Sequence, residues 1–419
     1  MATNATHAGG YVELDTHNLW GMMEEKATHL ALLSIHPNKR PFLISRSTFP
    51  STGRWSGHWL GDNSSKWAYL IASIQGVLQF QIFQIPMVGA DTCGFIGNTD
   101  EELCNRWMQL SAFMPFYRNH NQRGAMSQEP YRWDSVANAS RTAIGIRYSL
   151  LPYWVRFSHT CYATDKSNSF TVYSVRQCLA IRFSADSGPL LRVSGRTRAV
   201  RRRQAIFGRA RPLDYTGSDS KRFYSGWCVS SILSVYRRVC FTTSESYVGI
   251  FPGRGRAIWR DWYTHKVVNA TSGGPTTLDA PLGHINVHIR DGSAILLHER
   301  PAYTIAETRQ SPYALLVSLA AEGYAFGDAY IDDGESVPPT PSRTVQFHAR
   351  SGSITITGHG SFDVEQKLGT ITLLGARKPQ NVIVDGRVVH SWRYTDATQE
   401  LVISDLSIDL NDTIDVVWH

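Results

Sequence analysis

Leu19, Met22, Met23, Ala27, Leu30 and Leu33 recur at spacings of three and four, which predicts an amphipathic helix stopped by Pro37. Phe42, Leu43 and Ile44 follow as a short apolar run ending at Ser45 and Arg46, the pattern of a buried parallel strand that opens into a loop. After a Gly, Ser and Trp rich stretch from Ser47 to Ser65, the residues Trp67, Leu70, Ile71, Ile74 and Leu78 predict a second helix. Met87 and Val88 predict the next strand, ending at Gly89, Ala90 and Asp91. Thr99 and Glu102 stand at capping-box spacing before a helix with Leu103, Trp107 and Leu110 on one side. Phe113 to Tyr117 predicts another strand, ending in Arg118, Asn119 and His120, and a last helical pattern runs from about Trp133 to Trp154. Strand, loop and helix in repetition, with polar residues at the strand ends, predict a (β/α)8 barrel, whose C-terminal strand ends build the active site. A whole barrel takes about 250 residues, so a pattern finished by Trp154 predicts only part of one.

Beyond Val248 the period changes from helical to alternating. Ile285, Val287 and Ile289 alternate with His284, Asn286, His288 and Arg290, and Asp291 and Gly292 then turn the chain into Ala294 to Leu297. Similar alternation recurs at Val345 and Phe347, Ile354 and Ile356, Val382 and Val384, Leu401 and Ile403, and Ile414 and Val416, which predicts β-sandwich structure. The fold class expected is therefore α/β plus all-β, part of a (β/α)8 barrel followed by β-sandwich domains.

Composition excludes a disordered chain, since 42% of the 419 residues are hydrophobic and 18% charged. No uncharged apolar stretch approaches the eighteen or so residues of a membrane span, and residues 1–30 lack the basic start and apolar run of a secretory signal. Neither a membrane partner nor a self-encoded export signal is expected. Charge changes the picture in one place. Thr171 to Cys240 holds thirteen Arg, one Lys and three Asp, a net +11, which leaves the rest of the chain at −4 of its total of +7. A phosphate-binding patch, a basic solvated loop and out-of-frame translation each produce such text. Its Arg and Ser bias and missing periodicity favour the last for roughly residues 165–245, with no nucleic-acid partner expected and no packing of that window.

Arg46, Asp62, Asp91, Arg118 and His120 fall at the predicted strand ends, with Trp55, Trp59 and Phe95 beside them. Carboxylates among exposed rings suit a sugar, because a ring stacks on the apolar pyranose face while carboxylates and Arg take the hydroxyls. Singly, each has a plainer reading: Asp62 as a loop turn, Asp91 as a helix cap, His120 as a core histidine.

The strings Arg46-Ser47-Thr48-Phe49, His58-Trp59-Leu60-Gly61-Asp62-Asn63, Gly89-Ala90-Asp91-Thr92-Cys93-Gly94-Phe95 and Arg118-Asn119-His120-Asn121 resemble, in order, the C-terminal half of the catalytic barrel of glycoside hydrolase family 31, with the secreted fungal α-glucosidases most similar. The resemblance covers about residues 8–157 and resumes from about 248, where Asp332-Asp333-Gly334-Glu335 resembles the family's distal β-domain. It implies that Asp62 is the general acid/base of a retaining mechanism, that Arg46, Asp91 and His120 hold sugar hydroxyls, and that Trp59 and Phe95 wall the subsite. It also implies a Cys93–Cys104 disulfide, whereas Cys161, Cys178, Cys228 and Cys240 lie in or beside the Arg-rich window and carry no expectation. The family's nucleophile is an aspartate in a Trp-x-Asp-Met-Asn motif, which this sequence does not contain. The chain is accordingly expected to be inactive alone on α-linked glucose, and a non-catalytic carbohydrate-binding protein is the alternative. The domains expected are a partial barrel over 1–160, the anomalous segment over 161–247, a proximal β remnant over 248–301 and a distal β-sandwich over 302–419.

Sequons begin at Asn4, Asn63, Asn138, Asn269 and Asn411, more than a cytosolic chain needs. Asn63 adjoins Asp62 in the expected site, which leaves Asn4, Asn138, Asn269 and Asn411 as glycosylation candidates on an exported protein. The fifteen His form no His-Glu-x-x-His pair and His284 and His288 are expected on a solvated strand face, so neither metal nor cofactor is expected. Nothing in the sequence specifies an oligomeric state.

Overall fold

A computed structural model describes residues 2–155, 235–237, 246–251, 256–269 and 275–419. A short helix α1 (Glu13–Thr16) leads into α2 (Trp20–Ile35). Then come β1 (Ile44–Ser45), β2 (Gly57–Trp59), α3 (Trp67–Ile82), β3 (Val88–Gly89), β4 (Asp91–Thr92), α4 (Glu101–Ser111), β5 (Arg118–Asn119) and α5 (Asp134–Ser149). β1, β2 and β3 pair in parallel in chain order, and β4, separated from β3 only by Ala90, pairs in parallel with β5. Short parallel strands joined by helices are the barrel pattern. The helices stand because their apolar spacing finds partners: Leu70, Ile74 and Val77 of α3 share a core with Val88 and with Leu103, Trp107 and Leu110 of α4. Gly89 lets β3 approach the segment leading into β5, since a Cβ there would lie 1.9 Å from the Phe116 carbonyl oxygen.

Three local expectations are corrected. The cap of α4 is Asp100, whose side chain accepts from Leu103 N at 2.9 Å, rather than Thr99. The strand expected over Phe113–Tyr117 begins only at Arg118, because the chain turns on leaving α4 and half-buried Arg147 of α5 donates to the carbonyls of Ala112, Met114 and Pro115 at 2.6–2.9 Å. These carbonyls are thereby removed from any ladder. The apolar run at Phe42 is not buried: Phe42 is 66% exposed, and β1 has β2 as its only paired neighbour among the described residues.

The remaining chain is mostly antiparallel. β6 (Val235–Arg237) and β8 (Trp259–Asp261) flank β10 (Val287–Arg290), and β7 (Ser246–Ile250) pairs with β9 (Pro275–Asp279). Of the Arg-rich window, the structure describes Val235–Arg237, antiparallel to β10, and most of the rest lies outside the described residues, as do Cys161, Cys178, Cys228 and Cys240. The face of β10 expected to be solvated is covered. His288 is 2% exposed, with its ring 4.9 Å from Phe251, and Asn286 donates to the Asp279 carbonyl at 2.7 Å.

An eleven-stranded sheet holds β11 (Ser293–His298), β12 (Tyr313–Ser318), β13 (Ala325–Ile331), β14 (Arg343–Arg350), β15 (Ser353–Gly360), β16 (Leu368–Leu374), β17 (Val382–Val384), β18 (Arg387–Val389), β19 (Trp392–Thr395), β20 (Glu400–Ile403) and β21 (Thr413–Trp418). Val345, Phe347 and Ile354 from one side of the order and Ile371, Leu373 and Leu401 from the other meet in one core, so the sheet folds over on itself. β11 lies before the boundary expected at 301/302, yet it pairs with β12 over its whole length and puts Leu296 into that core.

The sheet is tied to the barrel segment by a loop. Arg40, between α2 and β1, pairs with Asp332, donates from its backbone N–H to Glu335 O at 2.8 Å, and donates from Nε to Ser336 O at 2.7 Å. Asp332 is 3% exposed whereas Arg40 is exposed, so the pair is buried on the carboxylate side only.

Candidate active site

Trp59 at the end of β2 and Arg118 on β5 converge on one buried carboxylate. Asp91, on β4, is wholly buried, and its Oδ1 accepts from Trp59 Nε1 at 3.0 Å and from Arg118 Nε and Nη2 at 3.0 and 2.5 Å. Oδ2 is buried and has no hydrogen-bond partner among the described residues. Burial pushes the carboxyl above the usual carboxylate range, and the hydrogen bonds and charge of Arg118 pull against it. The Arg118 guanidinium also lies over the Trp59 ring, 5.0 Å from its centroid. Asp91 therefore keeps an acceptor to spare while its other oxygen is fixed by two neighbouring strands.

Around this pair the other candidates take different positions. Phe95 and His120 stack, with centroids 5.0 Å apart, Phe95 half-buried and His120 exposed. Asp62 is exposed, and no hydrogen bond holds its carboxylate among the described residues. Arg46 is exposed just after β1 and crosses Gly61, where a Cβ would come within 2.9 Å of its Nε. Gly61 sits at φ 86°, the left-handed region that favours glycine. Trp55 does not join the group. It packs on α2, its ring 5.5 Å from His29 and 5.7 Å from Lys26 Nζ.

Two residues of the site carry no periodic signal, and Arg118, a strand-end candidate in the sequence, takes no individual role from the family resemblance. Asn63 is buried, donates from Nδ2 to Asp91 O at 3.0 Å and accepts from Phe95 N at 3.0 Å, which ties the loop after β2 to the loop after β4. Gln128, 2% exposed, has its Nε2 within 3.1–3.3 Å of Thr92 O, Gly94 O, Asn119 Oδ1 and His120 O. Arg118 opens the strand-end string Arg118-Asn119-His120-Asn121, which points to a site. Cys93 and Cys104 are disulfide-bonded across a separation of 11 residues and join Met108 and Val136 in a small core beneath the loop.

Of the sequons, Asn4, Asn138 and Asn269 are exposed. Asn411 differs: its Nδ2 donates to Val364 O at 3.0 Å and Asp409 Oδ1 at 2.7 Å, and its Oδ1 accepts from Val364 N at 2.9 Å. Among the described residues no group of three or more His, Cys, Asp or Glu could hold a metal, and no helix is long and apolar enough to cross a membrane.

Residues 1–157 match the TIM-barrel domain of glycosyl hydrolases family 31. Glucoamylase 1 of Schwanniomyces occidentalis is 42% identical over 385 residues, 91% of this chain and 36% of its own length. An α-glucosidase of Aspergillus niger is 40% identical over 411 residues, 97% of this chain and 38% of its own length. Among solved structures, the DNJ-bound glucosidase II alpha subunit is similar with a TM-score of 0.78 at 24% identity, over 100% of this chain and 44% of that one, a likeness of fold. The chain thus spans little more than a third of the curated relatives it matches. With identity of 40% and more held across nine-tenths or more of its length, and the barrel domain matched over residues 1–157, the chain belongs to glycoside hydrolase family 31.

Proposed function

We propose that this chain carries the acid/base half of an α-glucosidase site, acting on terminal α-linked glucose of oligosaccharides by a retaining mechanism. Asp62 donates a proton to the leaving glycosidic oxygen and then takes one from water, a role that an exposed carboxylate with no hydrogen bond among the described residues can fill. Asp91 accepts a sugar hydroxyl on Oδ2, Arg46 and His120 take further hydroxyls, and Trp59 and Phe95 wall the subsite. The observation that carries this reading is Asp91 itself, a buried carboxylate with one oxygen held by Trp59 and Arg118 and the other unpartnered. The names of the relatives, α-glucosidase and glucoamylase, supply the substrate class.

Retaining hydrolysis needs two carboxyl groups about 5 to 5.5 Å apart, and the second is assigned to no residue of this chain. The chain alone therefore binds an α-glucoside without turning it over, which is also the behaviour of a non-catalytic carbohydrate-binding protein. The disulfide and the exposed sequons at Asn4, Asn138 and Asn269 support an oxidising, extracellular setting. The test is titration of the purified chain with maltose, followed by ligand-observed NMR, beside turnover of an aryl α-glucoside. Saturable binding lost in Asp91→Asn, with no turnover, is expected. Turnover abolished by Asp62→Asn would show that a second carboxylate of this chain serves as nucleophile, and absence of binding would refute the subsite.

A further inference from the structure

The large sheet has one face that is covered over part of its width and open over the rest. Ile295 of β11, Leu316 of β12 and Leu374 of β16 are buried against Ile146 and Leu150 and against Val287 and Ile289 of β10. The cover ends at β11. Ser293, on the same side of β11 as Ile295, pairs with Phe326 of β13, and from there outward the side chains of this face meet solvent. Tyr324 and Phe326 stand two residues apart and flank Ala325, which turns into the core, so both rings leave the sheet on the open side, about 7 Å apart along the strand. They are 53% and 47% exposed. The Tyr324 ring lies beside the turn into β11, where a Cβ added to Gly292 would come within 3.5 Å of it. Two rings thus line a step in the surface, with covered sheet on one side and open sheet on the other.

What borders the rings is polar and in register. His348 of β14 sits directly opposite Phe326, with the ring centroids 4.8 Å apart. The row continues to Thr355 of β15 and Asp415 of β21, and Thr355 Oγ1 donates to Asp415 Oδ1 at 2.6 Å. One row along, Asp328 faces Gln346, and exposed Arg350 stands two residues beyond His348 on the same side of β14. These surroundings select the occupant. Two half-exposed rings offer about 200 Å² of apolar surface, far short of the roughly 800 Å² per partner that a stable protein interface buries. Asp328 and Asp415 against Arg350 put both signs of charge around them, so a strongly charged polymer of either sign meets repulsion. A neutral ligand with apolar ring faces and a rim of hydroxyls meets neither obstacle, because its faces stack on Tyr324 and Phe326 while its hydroxyls reach the carboxylates, amide and guanidinium.

We propose that Tyr324 and Phe326 are the platform of a second, non-catalytic carbohydrate site, which holds consecutive sugar units of an α-glucan chain on the open face of the large sheet. The platform stands on the geometry of that face, and the α-linked glucose rests on the function proposed above.

The test titrates the full chain with maltoheptaose by isothermal calorimetry, in the parent, in Asp91→Asn and in the double variant Tyr324→Ser/Phe326→Ser. Both serines replace side chains on the solvent side and leave the core residues of β13 in place. Two sites are expected in the parent and one in each variant, with affinity at the other site weakened at least tenfold. Amide exchange of peptides spanning residues 324–330 and 344–350, measured in Asp91→Asn, should slow when maltoheptaose is added. Phe326→Tyr, which keeps a ring, should bind as the parent does, which separates loss of the platform from loss of the fold. Unchanged exchange at saturating sugar, a double variant that binds like the parent, or a homodimer that the double variant dissociates each overturns the platform. Cellohexaose bound here as tightly as maltoheptaose overturns the α-glucan assignment. Binding lost in the double variant but untouched by Asp91→Asn upholds the platform and refutes the Asp91 subsite, and a single site lost only in Asp91→Asn does the reverse.

Discussion

Acid should loosen the barrel segment through His58. This residue is 5% exposed on β2, its ring stacked on Phe80 of α3 at 3.6 Å and its Nδ1 paired with Thr48 Oγ1 at 2.9 Å. Burial, aided by the charge of Arg46, holds its pKa at about 4, against 6.5 ordinarily. Because the folded-state pKa is the lower, the unfolded chain takes up the proton first. Stability is intact above pH 6.5 and falls as the pH drops toward 4. At about 1.4 kcal/mol per pH unit the loss amounts to about 3 kcal/mol, a large part of the 5–15 kcal/mol that usually holds a domain together. Asp91, whose carboxyl is raised, works in the opposite sense, and Glu13 and Asp333, held at about 2, lose stability only below the ordinary carboxylate range. His298, also at about 4, sits in the large sheet, so the readout must be local. Amide exchange of peptides spanning residues 57–82 at pH 7 and pH 4.5, in the parent and in His58→Gln, separates these. Marked loss of protection on acidification in the parent and little further loss in His58→Gln are expected. Equal pH dependence in both would refute the reasoning, because Asp91 is common to the two.

Arg118→Met should cost about 2–3 kcal/mol, toward the low end for an unpaired buried carboxylate because Arg118 is itself a third exposed, and adding Asp91→Asn should recover more than half of it in urea unfolding. Replacing Cys93 and Cys104 by Ala together should cost about 2–3 kcal/mol on the chain-entropy account of a loop of this length, read as a lower melting temperature that reductant reproduces in the parent. Asp332→Asn should speed amide exchange over residues 36–40 at least tenfold and leave β14 and β15 unchanged, since Arg40 loses its buried partner there. Asn411→Gln should destabilise by about 1–2 kcal/mol while Asn4→Gln stays within about 0.5 kcal/mol, and glycopeptide mapping of the chain made in a fungal host should find Asn411 unmodified.

What the sequence determined by itself was local and periodic. The three- and four-residue spacing of Leu70, Ile74 and Val77 and of Leu103, Trp107 and Leu110 placed two helices, because an apolar stripe has few other ways to leave water. Alternation at Val345, Phe347, Ile354 and Ile356 placed strands for the same reason, and the strand-end strings located Trp59, Asp91, Phe95 and His120 together. What depended on partners distant in the chain was not legible. His288 and Asn286 alternate like a solvated face, yet neighbouring chain covers them. Phe113–Tyr117 has strand composition, but Arg147, some thirty residues on, claims its carbonyls. β11 reads the same in either β unit, and only its six-residue register with β12 assigns it to the large sheet. In the site, sequence could place Asp91 at a strand end but not show that Trp59 and Arg118 occupy one oxygen and leave the other open. Periodicity reports whether a side chain seeks water, whereas pairing, burial and hydrogen-bond supply are set by whichever segments the tertiary fold brings alongside.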